Sequence, residues 1–468
     1  MKKWLFKIIT CFSIFLTQTT FAEDLLTAYH QALNNDPQFK NAQAQWLANR
    51  ELRKQSLALL LPTVSASATM SRTYDHQGTS NPIFDNNKQV GLNASQPIFD
   101  YAAWAGLKGA DAQVKQARAN YDAAQQNLMI RVATAYLAVL QAYDQWEATH
   151  SQKESLKKQL AQTQAQYKVG LISIIGVEQV KASYDAVVAQ EIANQNDISN
   201  RLEELRAITG NFYRKIASPY GELPLISPVP SNINAWVHIA SKQNYTLLAA
   251  HYGELAAREN IEVQRAGHMP SANITGNYVV SHDSDFVTGR LGLAAPMTNQ
   301  ISGLSLTVKM PVYQGGLISA QTRQASYQYA GADAQTEQTY RSTLTATREA
   351  YLGVTTGINK LKADHQAVIS NEASLNATQA GYNAGNNTIV DVLQQQSNLY
   401  TAKTTYTTDQ YNYLLNHLNL KQAAGTLSSI DLAKINTWFQ QAIDLSAYDF
   451  NSTPLSPLPI QQVSERVT

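Results

Sequence analysis

The sequence predicts an α+β chain built from two tandem structural repeats, in which long helices alternate with short strands. Three observations predict it. The motif Ala135-Tyr136-Leu137 returns as Ala350-Tyr351-Leu352, at an offset of 215 residues. Two stretches of about 66 residues contain no proline and are rich in strong helix formers. Between the helical stretches, segments of about ten residues alternate apolar and polar side chains, as two-faced strands do.

Other landmarks of the two halves also pair, some at the same offset and the prolines at shorter ones. Tyr167, Gly170 and Gly210 return as Tyr382, Gly385 and Gly425, while Pro97 and Pro62 pair with Pro311 and Pro270 at spacings of 214 and 208. Two long copies favour a duplicated fold over a solenoid. The sequence therefore predicts repeat 1 over 23–210, a linker over 211–231 and repeat 2 over 232–427. The polar stretches 74–88 and 281–302 absorb the change in spacing, so we expect loops there.

The start of the chain predicts export. Three lysines surround an apolar run over 8–16, and small residues lead to a cleavage site after Phe21-Ala22. These features are typical of a secretory signal peptide over 1–22. The sole cysteine, Cys11, falls inside it, so we expect a mature chain without disulfides.

Composition excludes some partners. Removing the three lysines takes the formal charge from +1 to about −2, which gives no electrostatic basis for binding nucleic acid. No second run of about 18 apolar residues follows, so no membrane-spanning helix is expected. If this chain enters a membrane, we expect it to do so by strands.

The lengths of the predicted helices follow from the prolines and glycines that end them. Long helices are predicted over Tyr101–Tyr167 and Leu317–Tyr382, each roughly 100 Å at about 1.5 Å per residue. Return helices follow over Val177–Thr209 and Val392–Ala424, and a third helix in each half runs up to a proline (Asp24–Leu61 and Ile233–Met269). A return helix and a third helix placed end to end nearly match the long helix. This predicts a stacked helical barrel with an aqueous lumen; an extended coiled coil is the alternative.

Four strands are predicted, over 63–73, 89–99, 271–281 and 303–313. Their length and two-faced pattern fit tilted membrane strands, and a soluble four-stranded sheet is the alternative. Four strands cannot close a barrel, and lipid forbids open edges, so copies of the chain must pool them. Three chains would give a transmembrane barrel of twelve strands with a channel. Aromatic residues at the strand ends are candidates for the membrane interface: Tyr74, Phe99, Tyr101, Trp104 and Tyr313.

Several motifs together carry a family resemblance. They are Gln96-Pro97-Ile98-Phe99-Asp100, Pro311-Val312-Tyr313-Gln314-Gly315-Gly316, Thr388-Ile389-Val390-Asp391-Val392-Leu393 and the run from Tyr411 to Leu427. With them the chain resembles the TolC-type outer-membrane channels, the outer membrane factor family, over nearly its whole mature length.

The resemblance implies a homotrimer whose β-barrel lies in outer-membrane lipid and continues into a periplasmic α-helical tunnel. It implies an exit duct for drugs, small molecules or proteins, opened by a periplasmic adaptor. The duct would serve an inner-membrane transporter of the RND, ABC or MFS class. The prolines Pro62, Pro97, Pro270 and Pro311 would mark the junction of barrel and tunnel.

The resemblance also implies a gate where the tunnel narrows. Asp391 and Tyr382 match the family pattern, and three copies of Asp391 would form a ring that binds cations. Gln394, Asn387 and Gly176 replace the charged residues expected at those positions. We therefore expect a closed tip held by hydrogen bonds and packing. Asp391 acting only as a helix N-cap is the alternative.

Adaptor docking is expected at the two hairpin tips, over about 168–176 and 383–391. Val169-Gly170-Leu171 matches the family's tip motif, whereas Ala384-Gly385-Asn386 keeps only the glycine. The alternative is that Gly170 and Gly385 only end their helices.

The remaining segments suggest no catalysis. The sequence lacks HExxH, GxSxG, P-loop and GxGxxG motifs, and its nine histidines have no ligand spacing, so neither enzyme activity nor a metal or cofactor is expected. The linker and a helix over 428–448 are predicted to form an equatorial collar, followed by a disordered tail over 449–468. A trimeric coiled-coil stalk or adhesin is the main alternative function, and a duct dedicated to one cargo is the second.

Overall fold

The computed structural model describes residues 23–75, 83–219, 221, 223–288 and 293–448. The predicted signal peptide and C-terminal tail lie outside these ranges. The order of two strands, one long helix and one return helix occurs twice. The elements are α1 (Leu25–Asn35), α2 (Pro37–Arg50), α3 (Leu52–Ala58), β1 (Thr63–Asp75), β2 (Ile83–Phe99), α4 (Tyr101–Lys168), α5 (Ile174–Thr209), β3 (Lys215–Pro219), α6 (Ile233–Gln243), α7 (Tyr245–Arg265), β4 (Ser271–Thr288), β5 (Leu293–Lys309), α8 (Leu317–Asn383), α9 (Ile389–Ala423), α10 (Ser429–Asn436) and β6 (Phe439–Asp444).

The long helices α4 and α8 contain 68 and 67 residues, which makes each about 100 Å long. Asp100 caps α4 by accepting a hydrogen bond from the Ala103 amide at 3.0 Å. Each long helix and its return helix form an antiparallel hairpin, α4 with α5 and α8 with α9. Among the described residues, no helix is both long enough and apolar enough to cross a bilayer.

The third helix of each half is interrupted, not continuous as expected. Asp36 lies between α1 and α2 with φ −62° and ψ 118°, and Asn244 lies between α6 and α7 with φ −64° and ψ 120°. Both residues cap the helix that follows, through the amides of Phe39 and Leu247 at 2.7 and 2.9 Å. The side-chain cap stabilises a new helix start at the same place in each repeat.

The four long strands form one antiparallel sheet in the order β1-β2-β4-β5. Val64, Ala94, Gly276 and Leu304 stand in one row across it, so even-numbered residues share one face. That face is mainly apolar, and the odd-numbered face is mainly polar. The apolar side chains include Val64, Ala66, Val90, Leu92, Ile274, Tyr278, Leu304, Leu306 and Val308; the polar ones include Ser65, Ser67, Asn93, Asn273, Thr275, Ser305 and Thr307.

The strands extend further than the sequence indicated. Most of the described residues in the expected loops over 74–88 and 281–302 are strand. The backbone pairing continues past the apolar rows into polar ones, where side chains also pair: the Asn87 amide donates to the Asp283 carboxylate at 2.6 Å. The fourth strand ends at Lys309, not at 313. Pro311 has no amide hydrogen and restricts the residue before it, which explains the earlier end.

A small sheet replaces part of the expected collar helix. Instead of one helix over 428–448, α10 ends at Asn436 and β6 pairs antiparallel with β3, matching Ile216 with Ile443. Burial of Ile216 and Ile443 against the main hydrophobic core accounts for the strand.

The tyrosines of the repeated motif donate to carbonyls nearby: Tyr136 to Ala217 at 2.6 Å and Tyr351 to Ser231 at 2.5 Å.

Candidate gate and docking tips

The two hairpin tips have the same backbone geometry. Gly170 and Gly385 both have φ of +78°, a left-handed conformation that favours glycine at a helix end. The Leu171 amide donates to the Gln166 carbonyl at 2.9 Å, and the Asn386 amide donates to the Gly381 carbonyl at 2.8 Å. Both glycines therefore end helices, as the alternative interpretation required, and this does not exclude a docking role.

The chemistry of the tips differs. In the first tip, Val169, Leu171 and Ile175 are 71%, 73% and 65% exposed, which gives a projecting apolar surface. The equivalent residues of the second tip begin with Ala384-Gly385-Asn386. There the Asn387 side chain folds back to the Thr378 carbonyl at 3.4 Å. The first tip is thus an apolar knob, whereas the second is small and mainly polar, with Val390, the counterpart of Ile175, as its exposed apolar residue.

Asp391 lies in the first turn of α9, where it is not the N-cap. Thr388 is the cap, and the two side chains form a reciprocal capping box. The Thr388 amide and hydroxyl both donate to Asp391 at 2.8 Å, and these hydrogen bonds hold the pKa of its carboxyl below its usual range. The carboxylate is exposed. Gln394, three residues later on the same helical face, donates to Asn398 at 3.0 Å.

Tyr382 connects the two hairpins. Its hydroxyl donates to the Gln166 side-chain oxygen of α4 at 3.0 Å. Burial raises the pKa of that hydroxyl, so it stays a donor at neutral pH. Gln166 is a residue that sequence reasoning missed. Its only signal is its position four residues before Gly170, one helical turn from the tip.

Gly176 lies in the first turn of α5 against the second hairpin. A side-chain carbon there would meet Ile389 at 3.6 Å. Ile389 belongs to a small apolar cluster with Val180 of α5 and Val392, and the side chains packed against this cluster come from α4, α8 and α9: Leu160, Leu375, Tyr382 and Leu393. Packing therefore occupies the place where the family pattern suggested a carboxylate.

Further hydrogen bonds join α4 to α9 above the cluster. Gln396 donates to Ser155 at 3.2 Å, the hydroxyls of Thr149 and Tyr400 are 2.7 Å apart, and Gln141 donates to Thr408 at 3.2 Å. These partners are neutral side chains.

One ionisable group takes part in the same helix contact. Tyr411 donates to the Asp144 carboxyl at 2.5 Å. Burial is the main cause that raises the pKa of Asp144 to about 6, against the opposing effect of the Tyr411 hydrogen bond.

The residues expected around the membrane fall at the two ends of the sheet. Pro62 and Pro270 immediately precede β1 and β4, Pro97 lies at a register shift near the end of β2, and Pro311 follows β5. All four are at the tunnel end. Phe99, Tyr101, Trp104 and Tyr313 lie at this same end, whereas Tyr74 is the second-last residue of β1, at the opposite end.

Comparison with known proteins identifies the family. The family model for outer membrane efflux proteins matches residues 28–211 and 236–426, which is both repeats. The chain belongs to the outer membrane efflux protein family. Outer membrane protein TolC of Escherichia coli (strain K12) is 33% identical over 464 residues, covering 96% of this chain and 94% of that protein. Alkaline protease secretion protein AprF of Pseudomonas aeruginosa is 27% identical over 479 residues, covering 99% and 97%.

Solved structures of the family share the fold. The outer membrane protein VceC of Vibrio cholerae has a TM-score of 0.74 at 20% identity and covers 86% of this chain and 96% of its own. The open state of the Neisseria gonorrhoeae MtrE outer membrane channel has a TM-score of 0.66 at 19% identity, covering 86% and 90%. The predicted TolC-type fold is confirmed. The family makes this chain an outer-membrane protein that extends into the periplasm and acts as an exit duct. No group of three or more potential metal ligands occurs among the described residues.

Proposed function

We propose that three copies of this chain form one duct through the outer membrane and the periplasm, after removal of residues 1–22 as a signal peptide. One observation carries the proposal: a single chain joins a sheet with one apolar and one polar face to helical hairpins whose long arms are about 100 Å. A sheet of this kind suits lipid on one side and water on the other. Its outer strands β1 and β5 are open edges within the chain, which twelve strands from three chains would pair.

The proposed gate is the ring of three Asp391 carboxylates, with Gln394 one turn further along the helix. Asp391 is exposed and engages only uncharged donors of its own chain. Three such carboxylates around one axis would repel one another and attract cations. The tip would close through Tyr382–Gln166 and the apolar cluster, without the charged residues that Gly176, Asn387 and Gln394 replace.

The proposed partners are a periplasmic adaptor at the tips and an RND, ABC or MFS transporter in the inner membrane. The exposed knob of Val169, Leu171 and Ile175 suits an apolar groove on the adaptor. The second tip, Ala384-Gly385-Asn386, would contribute shape and backbone contacts. Because the duct reads partners at its tips, both efflux and protein secretion fit it; AprF, a secretion protein, and TolC are both relatives.

Membrane fractionation followed by conductance tests the duct. We expect the processed protein in the outer-membrane fraction after an alkaline carbonate wash, and trimers in mild detergent that form water-filled channels in planar bilayers. Release by the wash as a water-soluble species would instead support the coiled-coil stalk.

The ring is tested by removing and adding charge at two positions of one helix face. We expect Asp391→Asn to reduce cation preference and block by divalent cations, because it removes three charges from the axis. Gln394→Asp should strengthen both, because it adds three. Single-channel reversal potentials in a salt gradient measure the preference. If both variants conduct like the parent protein, Asp391 acts only in the Thr388 capping box.

Docking is tested at equivalent positions of the two tips. Leu171→Asp places a charge on the apolar knob, and Asn386→Asp places the same charge on the polar tip. We expect the first to weaken adaptor binding by about tenfold or more and the second to change it by less than about threefold. Surface plasmon resonance with the purified adaptor measures this. Equal losses would mean that the apolar surface is not the principal contact.

A further inference from the structure

A cavity of about 290 Å³ lies at the equator, between α9, α10 and the segment 226–229. It is separate from the tips and from the sheet. Its lining is mainly apolar and includes two indole rings; among the apolar residues are Pro228, Val229, Trp236, Leu418, Ile435 and Trp438. The Trp236 indole already donates to the Pro230 carbonyl at 2.7 Å, so its ring is held in place. The cavity is therefore a preformed, aromatic-lined site.

Some polar groups at the cavity already have partners within the chain, and others can donate hydrogen bonds to a ligand. Lys421 is ion-paired with Asp431, and the His417 ring donates to the Ile226 carbonyl at 3.1 Å. Burial lowers the pKa of His417, so it is neutral at pH 7. The Lys434 side chain is exposed and the Trp438 side chain is half-buried at the cavity, so both can donate to a bound ligand. The site thus offers two donors beside two aromatic rings.

The chain carries a segment of matching chemistry outside the described residues. Residues 449–468 follow Tyr448, and they include Pro454-Leu455-Ser456-Pro457-Leu458-Pro459-Ile460. Proline at every second or third residue suits a polyproline II conformation, whose carbonyls have no internal hydrogen-bond donors. Grooves lined by aromatic rings with nearby N–H donors bind such segments, because little conformational entropy is lost on docking.

Chain length allows the segment to reach the cavity. Trp438 is ten residues before Tyr448, so their Cα atoms are at most about 35 Å apart. Pro459 is eleven residues after Tyr448, and eleven extended residues span up to about 38 Å. The proline-rich segment is therefore long enough to return to Trp438 from wherever Tyr448 lies.

We propose that the equatorial cavity binds the chain's own segment 454–460, with a proline between Trp236 and Trp438. Lys434 and the Trp438 indole donate to carbonyls of the bound segment. In this arrangement the C-terminal segment is part of the equatorial surface, and it covers the half-buried ring of Trp438 and the exposed side chain of Val229, while the buried Trp236 forms the floor. A second copy of the chain and a periplasmic partner protein are the other occupants that the experiment distinguishes.

The test uses two forms of the detergent-solubilised oligomer, the full chain and a chain ending at Tyr448. A fluorescent peptide of residues 449–468 is titrated into each, and binding is followed by anisotropy. We expect the shortened form to bind it with a Kd of tens of micromolar. The full chain should bind at least tenfold more weakly, because its attached segment competes at a millimolar effective concentration.

Three controls make the result specific. A peptide with Pro454, Pro457 and Pro459 changed to alanine should lose at least tenfold in affinity. In the shortened form, Lys434→Glu should weaken binding by about tenfold, whereas Lys242→Glu on neighbouring α6 should leave it unchanged. The proposal is overturned if the shortened form does not bind the peptide, which would leave the cavity to a second copy or a partner. Equal binding by the full chain, or of the alanine peptide, also overturns it.

Discussion

Asp144 is a carboxyl group whose pKa is shifted by its environment toward neutral pH. It sits on α4, where Tyr411 of α9 donates to it at 2.5 Å and Glu147 adds like charge nearby. Its pKa of about 6 lies well above that of an exposed aspartate, near 4. Between these values the folded protein keeps a proton that the unfolded chain releases. The contribution of Asp144 to stability therefore falls as pH rises from about 4 to about 6, and it stays lower above pH 6.

We expect Asp144→Asn to stabilise the helical region near neutral pH. The amide oxygen still accepts the Tyr411 hydroxyl, but no charge is buried, and Asn359 stands at the equivalent position of the second repeat. A shift of two pKa units corresponds to about 3 kcal/mol, which we reduce to about 2 because the carboxyl keeps some solvent contact. Thermal melting by circular dichroism should show a gain at about pH 7.5 and none at about pH 4.

Tyr411→Phe is the opposing control, because it leaves Asp144 buried without its donor. We expect this variant to melt earlier than the parent near neutral pH and to lose less stability at acid pH. A gain for Asp144→Asn that is the same at both pH values would contradict the burial explanation.

At the scale of elements, the glycines and prolines that end helices made the long helices predictable. The predicted ends of α4 and α8 differ from the structure by one residue, because Gly170 and Gly385 adopt left-handed backbone and neither helix contains a proline. The small sheet of β3 and β6 was missed because its partners are more than two hundred residues apart and each strand is short. Gln166 was missed because a single hydrogen bond leaves no sequence pattern.

The break between α1 and α2 is held by an ion pair between a buried carboxylate and a partly exposed arginine. Asp36 is 2% exposed, and it accepts hydrogen bonds from the Phe39 amide at 2.7 Å and from Arg131 of α4 at 2.6 Å. Loss of the arginine would leave an uncompensated carboxylate in the interior, whereas loss of Asp36 leaves a guanidinium that still reaches solvent. The helix cap and the attachment of the third helix to the long helix thus depend on one carboxylate.

We expect Asp36→Ala to destabilise repeat 1 by about 2–3 kcal/mol, because it removes the cap and leaves the partly exposed Arg131 unpaired. Asp36→Ala combined with Arg131→Met should recover more than half of the loss. Asn244→Ala, at the uncharged equivalent cap in repeat 2, should cost only about 1 kcal/mol. Denaturant melting measures all three. If the double variant is no better than Asp36→Ala, the carboxylate acts only as a cap.

At the scale of the whole molecule, the four-stranded sheet of one chain has two edge strands without a partner strand in that chain. β1 and β5 are its edges, separated by β2 and β4, so they lie about 14 Å apart within a chain. A ring of chains would pair β5 of one copy with β1 of the next and leave no edge. The sequence contains one cysteine, Cys11, inside the proposed signal peptide, so introduced cysteines would have no competitors in the processed protein.

This arrangement predicts which disulfides can form. Ser67→Cys on β1, combined in turn with cysteine at residues 299, 301, 303, 305 and 307 of β5, cannot close within a chain, because a disulfide needs Cα atoms within about 7 Å. At the matching register we expect covalent dimers and trimers on non-reducing gels, and no larger species. The control is Ser65→Cys with Asn93→Cys, which are cross-strand partners in one chain and should give only monomers. Monomers at all five registers would show that the edges do not meet, and the sheet would then need another way to satisfy its open strands.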